Sequence, residues 1–182
     1  MLAAALVCPA VADDVTDAVQ QAETAYGRKD FSAALTALAT AATLIRQMKA
    51  ELWKAMLPDA PPGWTADPAK VLTVGPVVFG GGTSTERHYR RPGASVDVSL
   101  VADSPALQSI AGLLGAGMLL GSAELLMIDG QHVAYNADDN TLQAIVADKV
   151  LVKVQGSTGV DKPTLENFFK AIKLGDIAKT AQ

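Results

Sequence analysis

Between Ala123 and Gln155 the chain runs through four short strand-like segments rich in apolar residues and separated by turn residues. Glu124–Ile128 is apolar and ends at Asp129-Gly130, a pair suited to the positive φ angles of a two-residue hairpin turn. Gln131–Asn136 forms the return strand. Ala137-Asp138-Asp139-Asn140 follows, rich in residues that bond their own backbone or tolerate the left-handed region. Thr141–Ala147 reads as a third strand, ended by Asp148-Lys149. In a fourth, Val150, Val152 and Val154 share one face and Leu151 and Lys153 the other, a period-two pattern of β-branched residues. Gly156-Ser157-Thr158-Gly159 closes the region. Turns this short force antiparallel neighbours, because parallel pairing needs a longer crossover.

Upstream the period changes to that of helices. Val15, Val19, Ala22 and Tyr26 are spaced four, three and four, one apolar stripe over a helix from Asp13 to about Tyr26. Asp13, Asp14 and Asp17 suit its positive dipole end, and Gly27 is the expected stop. Asp30 is the expected N-cap of a second helix. That helix carries a stripe of Phe31, Leu35, Leu38, Ala42 and Ile45, which is interrupted at Lys49 with Met48 in its place; the helix runs on through Leu52 and Met56 and ends at Pro58. The pair is expected to form an antiparallel hairpin. Leu57–Lys70 holds four prolines and reads as a linker or extended entry strand, with Trp64 anchoring it to the sheet.

Val71–Phe79 is apolar and β-prone. The glycines at 80 to 82 lack the lysine and following helix of a phosphate loop, and read as a hairpin loop. Thr85–Arg91 is a strand with Pro92-Gly93 as its turn. In its partner Val96, Val98 and Leu100 face one way, and Ser95, Asp97 and Ser99 the other. Asp103-Ser104-Pro105 starts a short helix carrying Leu107, Ile110, Leu113 and Leu114. The apolar run from Ile110 to Leu120 is far short of the ~20 residues that span a bilayer. At the other end Asp161 caps a helix whose buried face is Leu165, Phe168, Phe169 and Ile172, and the tail from Gly175 reads as frayed.

Composition narrows the function. Of 182 residues, 49% are hydrophobic and 19% charged, which suits a globular chain. A net charge of -4 and a pI near 5.1 argue against a nucleic-acid binder. Met1–Val7 is a small apolar run, and Ala10-Val11-Ala12 is an A-x-A cleavage pattern before Asp13. Residues 1–12 thus read as the remnant of a signal peptide whose basic start lies upstream. The one cysteine, Cys8, falls inside it, and a lipid anchor there is the minor alternative. A mature chain without cysteine fits the bacterial periplasm.

Candidate chemistry is sparse. His88, His132, Asp138 and Asp139 lack metal-ligand spacing. No G-x-S-x-G elbow is present. The sequence points to no catalytic, cofactor or metal residues, and to no enzyme. Two surfaces stand out. Arg87, His88, Arg90 and Arg91 form a basic stripe suited to an anionic partner, or alternatively a charged edge strand that blocks aggregation. In a strand Arg87 and Arg91 share a face with Tyr89, and His88 shares one with Arg90. Leu113, Leu114, Met118, Leu119 and Leu120 offer an apolar docking or ligand surface; membrane contact there is not expected.

Ala25-Tyr26, Asp30-Phe31, Ala34-Leu35, Leu38 and Ala41 resemble one tetratricopeptide (TPR) unit over about residues 22–44. One such repeat does not bury its own apolar faces. From residue 71 on, the expected order β-β-α-β-β-β-β-α and the hairpin at Ile128-Asp129-Gly130-Gln131 resemble the Mog1/PsbP-like α+β fold of periplasmic lipoproteins of the DcrB type. That resemblance implies a non-enzymatic binding or assembly factor. The expected architecture is therefore α+β: a helical hairpin over 13–57, a proline-rich linker over 58–70, and a domain over 71–182. This domain carries an antiparallel sheet of about six strands and two helices. The expected role is a periplasmic interaction module with a protein partner or a second copy of itself. The alternative is a carrier holding a small apolar molecule or lipid between the sheet and the 105–121 helix.

Overall fold

The computed structural model describes residues 10–74, 82–102, 104, 107 and 123–181. The chain divides into two compact units, Met1–Met48 and Lys49–Gln182. The break falls inside the second helix, ahead of the proline-rich stretch.

The first unit is a helical pair. Helix α1 is Ala10–Gly27 and α2 is Phe31–Trp53. Gly27 was the expected stop, but it lies within α1. The left-handed residue is Lys29, at φ 62°. Its N–H reaches the Tyr26 carbonyl at 2.9 Å and the Asp30 N–H reaches Ala25 at 3.0 Å, a Schellman closure. Asp30 then caps α2 as expected, its Oδ1 accepting from the Ala33 N–H at 3.0 Å. A lysine in the left-handed region carries a steric penalty that glycine does not. Lys29→Gly is expected to stabilise this unit by about 0.5–1 kcal/mol, seen as a raised midpoint when helicity is followed against temperature.

Among the described residues the second unit is built on eight antiparallel strands, where about six were expected. They are β1 (Thr65–Ala66), β2 (Lys70–Val74), β3 (Gly82–Arg91), β4 (Ala94–Ala102), β5 (Glu124–Ile128), β6 (Gln131–Asn136), β7 (Thr141–Val146) and β8 (Val150–Gly156). The sheet order is β1-β3-β4-β8-β7-β6-β5, and β2 also pairs with β3. The last four strands are the meander the sequence predicts. Asp129 and Gly130 adopt φ 49° and 77°, and Asn140 φ 47°. The meander joins the N-terminal ribbon where β8 pairs with β4, Val98 opposite Val154 and Leu100 opposite Val152.

One sheet face carries the main core. Val96, Val98, Leu100, Leu142, Val150, Val152 and Val154 are buried there with Leu165, Phe168, Phe169 and Ile172. The last four come from α3, Lys162–Lys170, and the residues just after it. The Asp161 side chain caps α3 through the Thr164 N–H at 3.1 Å, which holds its carboxyl below the usual range. The other sheet face carries a smaller cluster of Val101, Leu107 and Leu151.

One further sequence expectation is corrected by the structure. The tail from Gly175 is not frayed: Leu174–Thr180 is a helix, α4, with Ile177 and Ala181 buried. Leu174, Ile177, Ala178 and Ala181 have helical spacing, but half of that face is alanine and the signal is faint. The stretch 58–70 takes the extended-strand alternative of its two expected readings. Its β1 residues pair with Arg90 and Tyr89, and Trp64 meets Phe168 edge to face at 5.1 Å. The anchoring role expected of Trp64 holds.

Candidate functional site

Helix α2 contains no charged residue from Phe31 to Ile45. In water such a helix would be expected to hide its apolar stripe. Instead Phe31, Leu35, Leu38 and Ile45 are 58, 68, 51 and 52% exposed. The buried positions of the unit are small: Ala18 and Ala22 on α1, Ala34 and Ala41 on α2. The large side chains therefore do not form the interior of the pair. Val19 and Tyr26 of α1 are exposed as well, and the Tyr26 and Phe31 rings meet at 6.1 Å. That ring contact makes the apolar surface continuous between the two helices.

The threonine hydroxyls on α2 are bonded within the helix. Thr36 Oγ1 donates to the Ser32 carbonyl at 3.0 Å, Thr40 to Thr36 at 3.1 Å and Thr43 to Ala39 at 2.8 Å. Threonines bonded back onto their own helix present methyl groups outward and leave few polar atoms to desolvate. Polar side chains gather elsewhere on α1, where Asp17, Gln20, Gln21, Thr24 and Arg28 line a shallow open depression.

The basic stripe does not form a free patch. The faces are as expected, but each side chain is engaged within the chain. Arg87 donates through Nε to the Asp67 carbonyl at 3.0 Å and through Nη1 to the Pro58 carbonyl at 3.0 Å. Its guanidinium also lies over the Tyr89 ring. Arg91 stacks on Trp64, 4.6 Å from the ring centre. On the opposite face His88 Nδ1 lies 2.5 Å from Asp97 Oδ1, and Arg90 pairs with Asp67. Nor is β3 an edge strand: β4 flanks one side, and β1 and β2 share the other. The basic residues bracket an aromatic row, with Phe168 4.8 Å from Tyr89 and 5.1 Å from Trp64. Sequence spacing places the faces correctly but carries no information about which carbonyls the linker brings beneath them.

Tyr89 is fully buried, and its hydroxyl donates to the Pro58 carbonyl at 2.6 Å. Burial pushes the phenol up to about 12, against a smaller lowering by Arg87. The folded state thus keeps a proton that the unfolded state gives up near pH 10. Stability is unaffected below pH 10 and falls as pH rises from about 10 through 12, by an amount on the order of 2 kcal/mol. Denaturant unfolding across that window measures the loss, and Tyr89→Phe is expected to remove this component.

A second polar feature was not singled out in the sequence. Glu86, Asp97, Ser99, Lys153 and Gln155 line a depression of about 190 Å³ on the sheet face opposite the main core. Strand alternation places them on that face, but only the β4–β8 pairing sets Ser99 beside Lys153. It carries both signs of charge and is open to solvent. His132 is exposed on the same sheet face, opposite Met127 in the register. The apolar residues Leu113, Leu114, Met118, Leu119 and Leu120, and the cavity expected beside the 105–121 helix, lie outside the described residues. Among the described residues no helix is long and apolar enough to cross a membrane. No family model, curated protein or solved structure matches this chain.

Proposed function

We propose that the chain is a non-enzymatic interaction and assembly module, with the uncharged face of α2 as its docking surface. The observation that carries this reading is the exposure of Phe31, Leu35, Leu38 and Ile45 on a stretch of helix whose buried positions, Ala34 and Ala41, are alanines. Scattered apolar residues are ordinary on a protein surface; a contiguous row on one helix marks a contact site. The TPR-like spacing supports the same reading. In such repeats the next helical pair covers this kind of face, and here that place is open to another polypeptide. The setting we propose is the bacterial periplasm, supported by the apolar run at Met1–Val7 and the Ala10-Val11-Ala12 pattern.

The test is a photo-crosslinking residue placed in intact cells at Leu38, with the exposed loop position Thr158 as control. The reading predicts a discrete adduct from Leu38 and none from Thr158. Equal diffuse labelling at both positions would overturn it.

A further inference from the structure

We propose that the occupant of the α2 face is a second copy of this chain, docked antiparallel so that two helical pairs form a four-helix interface. The inference rests on the docking reading above and names its partner.

Size is the first argument. Val19, Tyr26, Phe31, Leu35, Leu38, Ile45 and Met48 are between 41 and 68% exposed. Each leaves on the order of 100 Å² open, so one copy offers roughly 700 Å², close to the ~800 Å² that each partner contributes to a stable interface. Two copies together would bury about 1,400 Å², inside the range of specific complexes.

Charge is the second, and it sets the direction. A two-fold interface brings the same patch against itself, so its centre must not repel itself. From Phe31 to Ile45 there is no charge to repel. Charged side chains of both signs flank the stripe at each end; Glu23 and Arg46 are two of them. Glu23 lies four residues after Val19 and three before Tyr26, on the same side of α1 and near the start of α2. Arg46 lies four residues after Ala42, near the other end of the stripe. Both are exposed, and among the described residues neither has an ion-pair partner. Parallel docking sets Arg46 against Arg46. Antiparallel docking sets the Arg46 of each copy against the Glu23 of the other, the complementary choice.

The third is desolvation. Of the seven exposed apolar side chains only Tyr26 carries a hydrogen-bonding group, so covering this face strands at most one donor.

Sedimentation of the purified full chain from about 1 μM to about 200 μM, a window around micromolar affinity, tests the proposal. A concentration-dependent dimer is expected. The double variant Leu35→Glu, Leu38→Glu is expected to stay monomeric throughout while keeping its helical signal. Glu23→Arg and Arg46→Glu are each expected to weaken the dimer about 5- to 10-fold, and the two together to restore it. A wild-type chain monomeric at the highest concentration overturns the proposal, as does a dimer indifferent to both leucine substitutions. Charge variants that add instead of compensating overturn the antiparallel arrangement. A monomer in solution combined with a Leu38 adduct in cells whose mass is not twice the chain removes this proposal and leaves the docking reading standing.

Discussion

Replacing Trp53 with alanine should cost the second unit about 3–5 kcal/mol, among the largest losses a single substitution can cause here. Trp53 is 1% exposed and belongs to the main core cluster with Leu57, Phe169 and Ile177. Its indole N–H donates to Thr180 Oγ1 at 2.8 Å, tying the last turn of α2 to α4. Alanine deletes the ring, leaves a cavity, and takes away the hydroxyl's donor. Just upstream the Ala50 carbonyl accepts from Thr85 Oγ1 at 3.0 Å. Loosening this turn therefore also loosens a buried bond to β3. Trp53→Phe separates the two contributions. It keeps most of the apolar volume and loses the hydrogen bond, so a loss nearer 1–2 kcal/mol is expected. Urea unfolding followed by far-UV dichroism gives both values. Losses of the same size in both variants would mean that the hydrogen bond, and not packing, carries the site.

Phe168→Ala is expected to match or exceed that effect. Phe168 is 1% exposed and sits between Trp64 and Tyr89, in edge-to-face contact with each. Removing the ring deletes its buried area and two aromatic pairs worth about 0.5–1.5 kcal/mol each beyond that area. The loss extends outward, because Arg87 lies over Tyr89 and Arg91 over Trp64. Both cations would then rest on rings with no support beneath them. The expected total is about 4–6 kcal/mol. Changed Trp64 fluorescence should accompany it even under conditions where the variant remains folded. A loss below about 1 kcal/mol would contradict the placement of Phe168 at the centre of the core.

Much of this fold was legible in the sequence because two periods dominate it. The Val150–Val154 alternation predicts a strand with three valines inward, and all three are fully buried. Asp129-Gly130 predicts a two-residue turn, and both residues have positive φ. Asp161 with Pro163 predicts the start of α3. What was missed lacks a side-chain signature. β1 is two residues held by backbone pairing, and α4 buries alanine where a longer helix would show leucine. Lys29 takes the left-handed position although glycine stands two residues earlier.

The apolar stripe of α2 was visible as a pattern, but its direction was not. Periodicity says that Phe31, Leu35, Leu38 and Ile45 share a side of the helix; it does not say which side faces inward. The alanines answer that, since Ala34 and Ala41 occupy the buried positions. The basic residues of β3 were misleading for the opposite reason. Three arginines and a histidine close in sequence suggest a patch, yet alternation divides them between two faces; the 58–70 segment engages Arg87, Arg90 and Arg91, and Asp97 of β4 engages His88.

The account depends on the exposed leucines contributing nothing to the chain's own folding. The most direct measurement is urea unfolding of Leu35→Gln, Leu38→Gln against wild type, in protein dilute enough to be monomeric. The stability should agree within about 0.5 kcal/mol, as for surface positions. A loss of about 4 kcal/mol or more, the sum for two buried leucines, would mean that these side chains pack within their own chain, and the docking face would be lost with them.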